Sequence, residues 1–175
     1  SMIFNKDRPI YKLNLKKELK NKKEKIVRDI LKAKDEAGNY RARAYNFEIF
    51  SLYNAYLYEL FMEKSKKLLN PFTLKNTPLK VWCYFTGLGN HVEDRWHNHR
   101  RTSSINSVIY LETIKDYGIK FKRDKESWYI EPKNFDLLIF PGFLDHRPVT
   151  SNTQQRISLN LELKCNEEDK DIFGL

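Results

Sequence analysis

Three histidines and an arginine have the types and spacing of a metal site with an anion anchor. His97 and His99 are two residues apart, so in an extended chain their side chains point to the same side. With His146 from a later segment, they can bind one face of an iron and leave the opposite face open for oxygen chemistry. Arg156 can form a bidentate pair with a small carboxylate, and Ser158 faces the same way and can add a hydrogen bond. The pattern therefore predicts an iron site with a dicarboxylate cosubstrate.

Other interpretations of the histidines remain open at this stage. His91 and Glu93 form a second pair, of the His-x-acid type, that also precedes His146. Zinc competes with iron because histidine-rich triads suit it too. A single histidine is more often a satisfied polar residue than a ligand, so the prediction depends on the joint spacing.

Composition indicates one folded domain over residues 1–175. The chain is 41% hydrophobic, 31% charged and 14% aromatic, which is typical of a globular domain. The sequence has no apolar run of membrane-spanning length and no signal-peptide pattern, so we expect a cytoplasmic protein without a membrane partner. Cys83 and Cys165 lie in apolar, strand-like settings without C-x-x-C spacing, which predicts buried, inert thiols.

The net charge of +9 is concentrated in a short N-terminal run. Its members are Lys16, Lys17, Lys20, Lys22, Lys23 and Lys25. Such a run is most often a solvated helix face. Binding to nucleic acid or to an acidic protein is the alternative.

The spacing of apolar residues divides the chain into a helical half and a strand-rich half. Residues 1–75 are predicted to be a helical support region, with one helix over 14–36 and a second through Ile49–Phe61 that stops at Asn70–Pro71. From residue 79 the apolar period becomes two. It predicts strands near 79–86, 96–100, 105–112, 118–122, 127–131, 136–140 and 156–163. The predicted class is α+β, with a jelly-roll core over 79–164 flanked by N-terminal helices.

The last predicted strand shows the two faces of this core most clearly. Ile157, Leu159, Leu161 and Leu163 alternate with Arg156, Ser158, Asn160 and Glu162. We expect the aliphatic face to pack against the helices and Arg156 and Ser158 to point into the barrel.

These motifs resemble the iron(II)- and 2-oxoglutarate-dependent dioxygenases, a family built on a double-stranded β-helix. The likeness rests on His97-x-His99, His146 and Arg156-x-Ser158, and covers roughly residues 79–164. Segment 107–111 is similar to the hydrophobic strand after the first ligands, and 140–146 to the approach to the distal histidine. The chain is most similar to a bacterial and phage branch with an H-x-H start, and more distantly to prolyl hydroxylases.

One position departs from the family pattern. Most members have an aspartate or glutamate where this chain has His99. Three histidines would hold iron with one less negative charge, which would weaken binding and alter the redox potential. We favour His97 and His99 over His91 and Glu93, because their short connection to segment 107–111 fits the resembling branch.

The resemblance also suggests roles for two tyrosines. In prolyl hydroxylases, tyrosines at places similar to Tyr84 and Tyr110 border the 2-oxoglutarate. A phenol can donate a hydrogen bond to a carboxylate in such a pocket. Packing in the core is an equal alternative for both.

The resemblance implies a hydroxylase that uses Fe(II), 2-oxoglutarate and O2. The cosubstrate would chelate the iron through its keto-acid end, while Arg156 and Ser158 bind its far carboxylate. The implied substrate is a C–H bond on a protein or peptide side chain, with proline first, and a nucleobase or small metabolite behind it. A non-catalytic, cupin-like module that binds a metal or ligand is the alternative, and Arg156-x-Ser158 argues against it, since a structural metal needs no dicarboxylate anchor.

Overall fold

The computed structural model describes residues 5–37, 43–44, 47–69, 80–86, 95–149, 154 and 156–175, with side chains described over 5–32, 56–69, 95–149, 154 and 156–175. Four helices lie in these ranges: α1 Lys16–Leu19, α2 Lys23–Ala37, α3 Phe47–Ser65 and α4 Asp169–Ile172. The strands of the same ranges are β1 Tyr11–Asn14, β2 Arg43–Ala44, β3 Lys80–Thr86, β4 Ile105–Glu112, β5 Ile119–Arg123, β6 Glu126–Ile130, β7 Asp136–Pro141, β8 Asp145–Pro148 and β9 Arg156–Leu163.

The strands form a large and a small antiparallel sheet. The large sheet has the order β1-β7-β4-β9-β3-β2, and the small one has the order β6-β5-β8. Strand β9 lies in the centre of the large sheet, between β4 and β3. This arrangement is consistent with the expected jelly roll.

The large sheet buries both faces because its strands alternate two sets of side chains. Its outer face packs against the helices in one apolar cluster, to which β4, β7 and β9 contribute Ile105, Ile109, Leu111, Leu137, Ile139, Ile157, Leu159, Leu161 and Leu163. The helices contribute Leu19, Ile26, Ile30, Leu57, Leu60 and Phe61 to the same cluster. The inner face packs against the small sheet through a second cluster, in which the rings of Phe121 and Phe140 are 5.0 Å apart. The aliphatic side of β9 therefore faces the helices as predicted.

Several predicted elements are confirmed. Strands β4 and β9 have the predicted bounds, and β3, β5, β6 and β7 differ from theirs by a residue at one end or both. Helix α3 covers the predicted second helix, and Leu57, Leu60 and Phe61 on its stripe are core residues.

Other predictions were wrong in informative ways. Segment 96–100 is not a strand, because its ladder pairing is a single bridge at His97. The predicted helix over 14–36 is two helices, since the turn at 20–22 falls where lysines replace the apolar positions that would bury a continuous helix. The region predicted to be helical also contributes β1, which pairs with β7, and β2, which pairs with β3. Strand β8 and helix α4 were not predicted.

The lysine run and the cysteine predictions have separate outcomes. Five of the six lysines are exposed and Lys23 is half-buried, and Lys20 and Lys22 lie in the turn between α1 and α2. Exposure fits a solvated surface and the nucleic-acid or acidic-protein alternative alike, so the role of the run stays a prediction. Cys165 is a buried free thiol, as predicted, and burial raises its pKa to about 12, which disfavours the reactive thiolate. The side chain of Cys83 lies outside the described residues.

Among the helices that the structure describes, none is long and apolar enough to cross a membrane.

Candidate metal centre

Two of the candidate ligands are joined by their own backbones. His97 N donates to His146 O at 3.0 Å, and His146 N donates to His97 O at 2.9 Å. This bridge ties the segment before β4 to strand β8, and the two rings lie 4.3 Å apart between centroids. His146 is in turn fixed by β5, where it pairs with Phe121. The main chain thus places two imidazoles side by side.

The third candidate ligand is held by a tight turn. His99 N donates to Gly142 O at 2.9 Å, and Gly142 N donates to Ser104 O at 3.0 Å. A Cβ atom at Gly142 would lie 2.0 Å from the carbonyl oxygen of Ser103, so only glycine allows this approach. The predicted Pro141–Gly142 turn therefore packs directly against the segment from His99 to Ser104 and fixes the position of His99.

The three imidazoles converge on one point. Their candidate ligand atoms all lie within 4.8 Å of one another. The ring of His99 is 5.2 Å from each of the other two rings. Nitrogen donors bound at about 2.1 Å to one ion are roughly 3–4 Å apart, so small ring rotations suffice to close the triad around a metal.

The outward nitrogens of two histidines face carbonyl oxygens. His97 Nδ1 is 2.9 Å from Arg95 O, and His146 Nδ1 is 3.0 Å from Leu144 O. A carbonyl only accepts, so Nδ1 carries the hydrogen in both rings and Nε2 keeps its lone pair. Metal-binding histidines commonly have this arrangement.

His99 has a charged partner instead. Its Nδ1 lies 3.3 Å from Glu162 Oε1, and the Glu162 side chain is 7% exposed. At this distance the carboxylate can accept from Nδ1–H, which again leaves Nε2 for a ligand. Sequence reasoning gave Glu162 no role, although the period-two pattern put it on the same face of β9 as Arg156.

His146 is kept neutral by its surroundings. Burial, reinforced by His97 and His99, lowers the pKa of His146 from 6.5 to about 3. The rings of Phe121 and Phe140 lie 6.2 and 5.1 Å from its ring. A metal ligand must be unprotonated, and this apolar surround keeps the imidazole so at neutral pH.

A buried cation lies farther along the inner face of the large sheet. Arg156 is 2% exposed, and its Nε and Nη1 atoms have no hydrogen-bond partner among the described residues. Its guanidinium carbon lies 5.1 Å from the centroid of the Tyr110 ring. Buried donors without partners are rare, so this guanidinium has hydrogen bonds available for an anion.

The two tyrosines that the resemblance places beside the cosubstrate flank Ser158 on the neighbouring strands. Tyr110 of β4 and Tyr84 of β3 both pair with Ser158 of β9. The buried Tyr110 hydroxyl has no hydrogen bond of good geometry within the described residues, but it lies close enough to the Arg156 guanidinium to interact with it. Burial raises the pKa of Tyr110, and the charge of Arg156 and this contact oppose the rise. The pairing of β4 with β9 shifts register between Tyr110 and Glu112, directly after Tyr110. Such irregularities are often found beside functional sites. The side chain of Tyr84 lies outside the described residues.

Two asparagines on the same face were missed by the sequence reasoning. Asn160 lies on β9 between Ser158 and Glu162, and Asn106 is in register with Glu162. In the described part of the chain, neither Nδ2 atom has an acceptor. The inner positions of β9 therefore run from the histidine cluster to Arg156, and amide donors lie between. Alternation along the strand was the signal that could have identified Asn160.

The structure thus brings His97, His99 and His146 together and places Arg156, Ser158 and Tyr110 on one buried face. The alternative ligands His91 and Glu93 lie outside the described residues, so the choice of His97 and His99 over them stays a prediction.

No protein-family model matches the chain, and no curated protein matches it. Solved structures do. A prolyl-4-hydroxylase of Pseudomonas putida is 13% identical, with 91% of this chain and 94% of that chain covered and a TM-score of 0.60. A prolyl hydroxylase of Trichoplax adhaerens, solved with a peptide of a hypoxia-inducible factor, is 14% identical over 91% and 84% of the two chains, with a TM-score of 0.63. A viral collagen prolyl hydroxylase of Paramecium bursaria chlorella virus-1 is 11% identical over 95% of each chain, with a TM-score of 0.57.

At these identities the likeness shows a shared fold. The fold is shared with these prolyl hydroxylases, while membership of the dioxygenase family and of its bacterial and phage branch stays a prediction.

Proposed function

We propose that this protein is an Fe(II)- and 2-oxoglutarate-dependent oxygenase that hydroxylates a C–H bond. One observation carries the proposal: the cluster of three histidines meets the inner face of β9 at Glu162, and the same face of β9 carries the buried Arg156. The Nε and Nη1 atoms of Arg156 have no hydrogen-bond partner among the described residues. The fold shared with prolyl hydroxylases agrees with it.

The donor set fits the metal that the proposal requires. His97, His99 and His146 supply three imidazole nitrogens from one side, which leaves the opposite side for cosubstrate and O2. These residues would hold an iron(II) ion, which would supply the chemistry for oxidising 2-oxoglutarate with O2 to succinate and CO2 and for inserting the second oxygen atom into a C–H bond of the substrate.

The anchor fits the far carboxylate of 2-oxoglutarate. The Arg156 guanidinium can donate to it through one of its two-nitrogen forks, and the Tyr110 hydroxyl can donate a further bond. We assign Ser158, and Tyr84 on the next strand, to the same pocket from their register. Phe121 and the neighbouring apolar cluster keep water from the face that these polar groups share.

The buried arginine also favours an enzyme over a cupin-like structural metal module. Burying a cation with open N–H groups costs several kcal/mol unless an anion satisfies it. A purely structural zinc site gives no reason for that cost at Arg156, whereas a bound dicarboxylate does.

We further propose a protein or peptide side chain as the substrate, with proline as the first candidate. The support is that solved proteins of this fold are named as prolyl hydroxylases, one of them in complex with a peptide fragment.

The proposal is tested by measuring succinate formed from 2-oxoglutarate, with Fe(II) and ascorbate, in the presence of proline-containing peptides. We expect turnover that depends on iron and is stimulated by a subset of the peptides. His146→Ala should abolish it. Oligonucleotides in place of peptides test the nucleic-acid alternative. Wild-type protein that retains zinc, binds no Fe(II) and forms no succinate with any of these would refute the proposal.

A further inference from the structure

One buried carboxylate has no part in the function proposed so far. Glu162 lies on the inner face of β9, and its Oε1 atom is 3.3 Å from His99 Nδ1. A carboxylate this deeply buried is costly unless it is paired, so its place beside a candidate ligand calls for an explanation.

The described contacts of the three histidines are not equivalent. Carbonyl oxygens face the Nδ1 atoms of His97 and His146, and a carboxylate faces that of His99. A carboxylate accepts a stronger hydrogen bond from Nδ1–H than a carbonyl does. The stronger bond raises the basicity of Nε2, which makes it a better ligand for a metal. His99 should therefore be the most electron-rich ligand of the three.

Charge balance points in the same direction. Three neutral imidazoles leave the whole double charge of a divalent ion uncompensated by its ligands. In a buried site that charge is unfavourable, and a carboxylate one imidazole away reduces it.

We propose that Glu162 is a positioning residue that acts through His99. It fixes His99 with Nε2 towards the metal and supplies the negative charge that the three-histidine ligand set lacks. This inference rests on the metal site of the proposed function, and it concerns metal binding rather than turnover.

The first test measures dissociation constants for Mn(II) and Co(II) without 2-oxoglutarate. Glu162→Gln keeps the shape and an acceptor oxygen but removes the charge, and we expect affinity about tenfold to a hundredfold weaker than wild type. Glu162→Asp keeps the charge and should restore part of the loss.

A matched control uses another buried polar residue of the same sheet. Ser107 is buried on β4 and donates to Leu161 O at 3.1 Å. Ser107→Ala removes a buried hydrogen bond without touching a histidine, so it should lower thermal stability and leave metal affinity unchanged. Equal metal affinity in wild type and Glu162→Gln overturns the inference.

The second test asks whether the effect passes through His99. In a His99→Asp background the ligand carries its own charge and offers no Nδ1–H, so Glu162→Gln should no longer weaken metal binding. If the Gln substitution weakens binding by the same factor in both backgrounds, Glu162 acts through the fold and the inference falls.

A redox measurement separates electrostatics from packing. Loss of the carboxylate should raise the Fe(III)/Fe(II) midpoint potential of the protein, because the ferric ion loses more stabilisation than the ferrous ion. An unchanged potential contradicts the inference. If affinity and potential respond as expected but no succinate is formed, the proposed function fails while this inference stands; a wild type that binds no divalent metal overturns both.

Discussion

Replacing Arg156 should separate cosubstrate binding from stability. The side chain is 2% exposed, and two of its nitrogen atoms, Nε and Nη1, have no partner among the described residues. A hydrogen bond to a charged group contributes about 1.5–3 kcal/mol, and paired bonds are less than additive, so Arg156→Met should cost about 2–4 kcal/mol of 2-oxoglutarate binding. At about 1.4 kcal/mol per factor of ten, this is roughly a thirtyfold to thousandfold rise in the dissociation constant.

The same change should not destabilise the protein without ligand. Replacing a buried charge whose donors are open by an apolar side chain of similar length is neutral or stabilising. We therefore expect the ligand-free melting temperature of Arg156→Met to equal or exceed that of wild type, with metal content unchanged. Arg156→Lys, which keeps the charge but loses the fork of donors, should bind with intermediate affinity.

The assay is calorimetric titration of the Mn(II)-loaded protein with 2-oxoglutarate, beside thermal unfolding of the metal-free protein. Unaltered cosubstrate affinity in Arg156→Met would refute the assignment of the anchor. A large fall in the melting temperature would show instead that the guanidinium has structural partners.

Three further predictions concern the histidine cluster. His146→Ala and His97→Ala should each lose most bound metal by elemental analysis, because each removes one of three protein ligands, whereas Glu93→Ala should change it little; the reverse pattern would exchange the ligand pairs. In metal-free protein, burial lowers the pKa of His146 in the folded state to about 3, while the unfolded state keeps the ordinary value of 6.5. Acid therefore protonates the unfolded state first, so the free energy of unfolding should be highest above pH 6.5 and fall as the pH decreases from there towards about 3. Urea unfolding across this range should show a decline of at most about 1.4 kcal/mol per pH unit that a His146→Gln variant lacks. Gly142→Ala should destabilise the protein by about 1–3 kcal/mol and weaken metal binding, since the new methyl group would lie 2.0 Å from Ser103 O; unchanged urea midpoints would contradict the geometry.

Period-two alternation made the central strands predictable. In β9 the residues Ile157 to Leu163 alternate cleanly, so both its bounds and its two faces followed from the sequence, and with them the inward positions of Arg156 and Ser158. The same signal fails where a strand is short. Strand β8 has four residues, and its one buried side chain is the candidate ligand His146, so it has no apolar pattern to detect.

The candidate site was predictable in its ligands but not in their partners. Spacing identified the three histidines, because residue type alone limits what can bind a metal. Glu162 could not be assigned, since its contact with His99 depends on the exact path of the loop before β4, which is set by the backbone bonds of His97 and Gly142. Hydrogen bonds between distant main-chain groups leave no trace in side-chain identity, and for the same reason the prediction of a strand at 96–100 fails.

The reciprocal backbone bonds between His97 and His146 also bear on metal selection. They hold two donors in place through main-chain atoms, which the identity of the ion does not affect. A site so assembled before loading loses little conformational entropy on binding, and it cannot discriminate strongly by reshaping itself around one ion. Its preferences should then follow the intrinsic order of divalent metals for nitrogen donors, in which copper, nickel and zinc exceed iron. For the proposed centre, occupancy by iron would be decided by which metals the cell supplies, and excess zinc should act as a competitive inhibitor of metal loading.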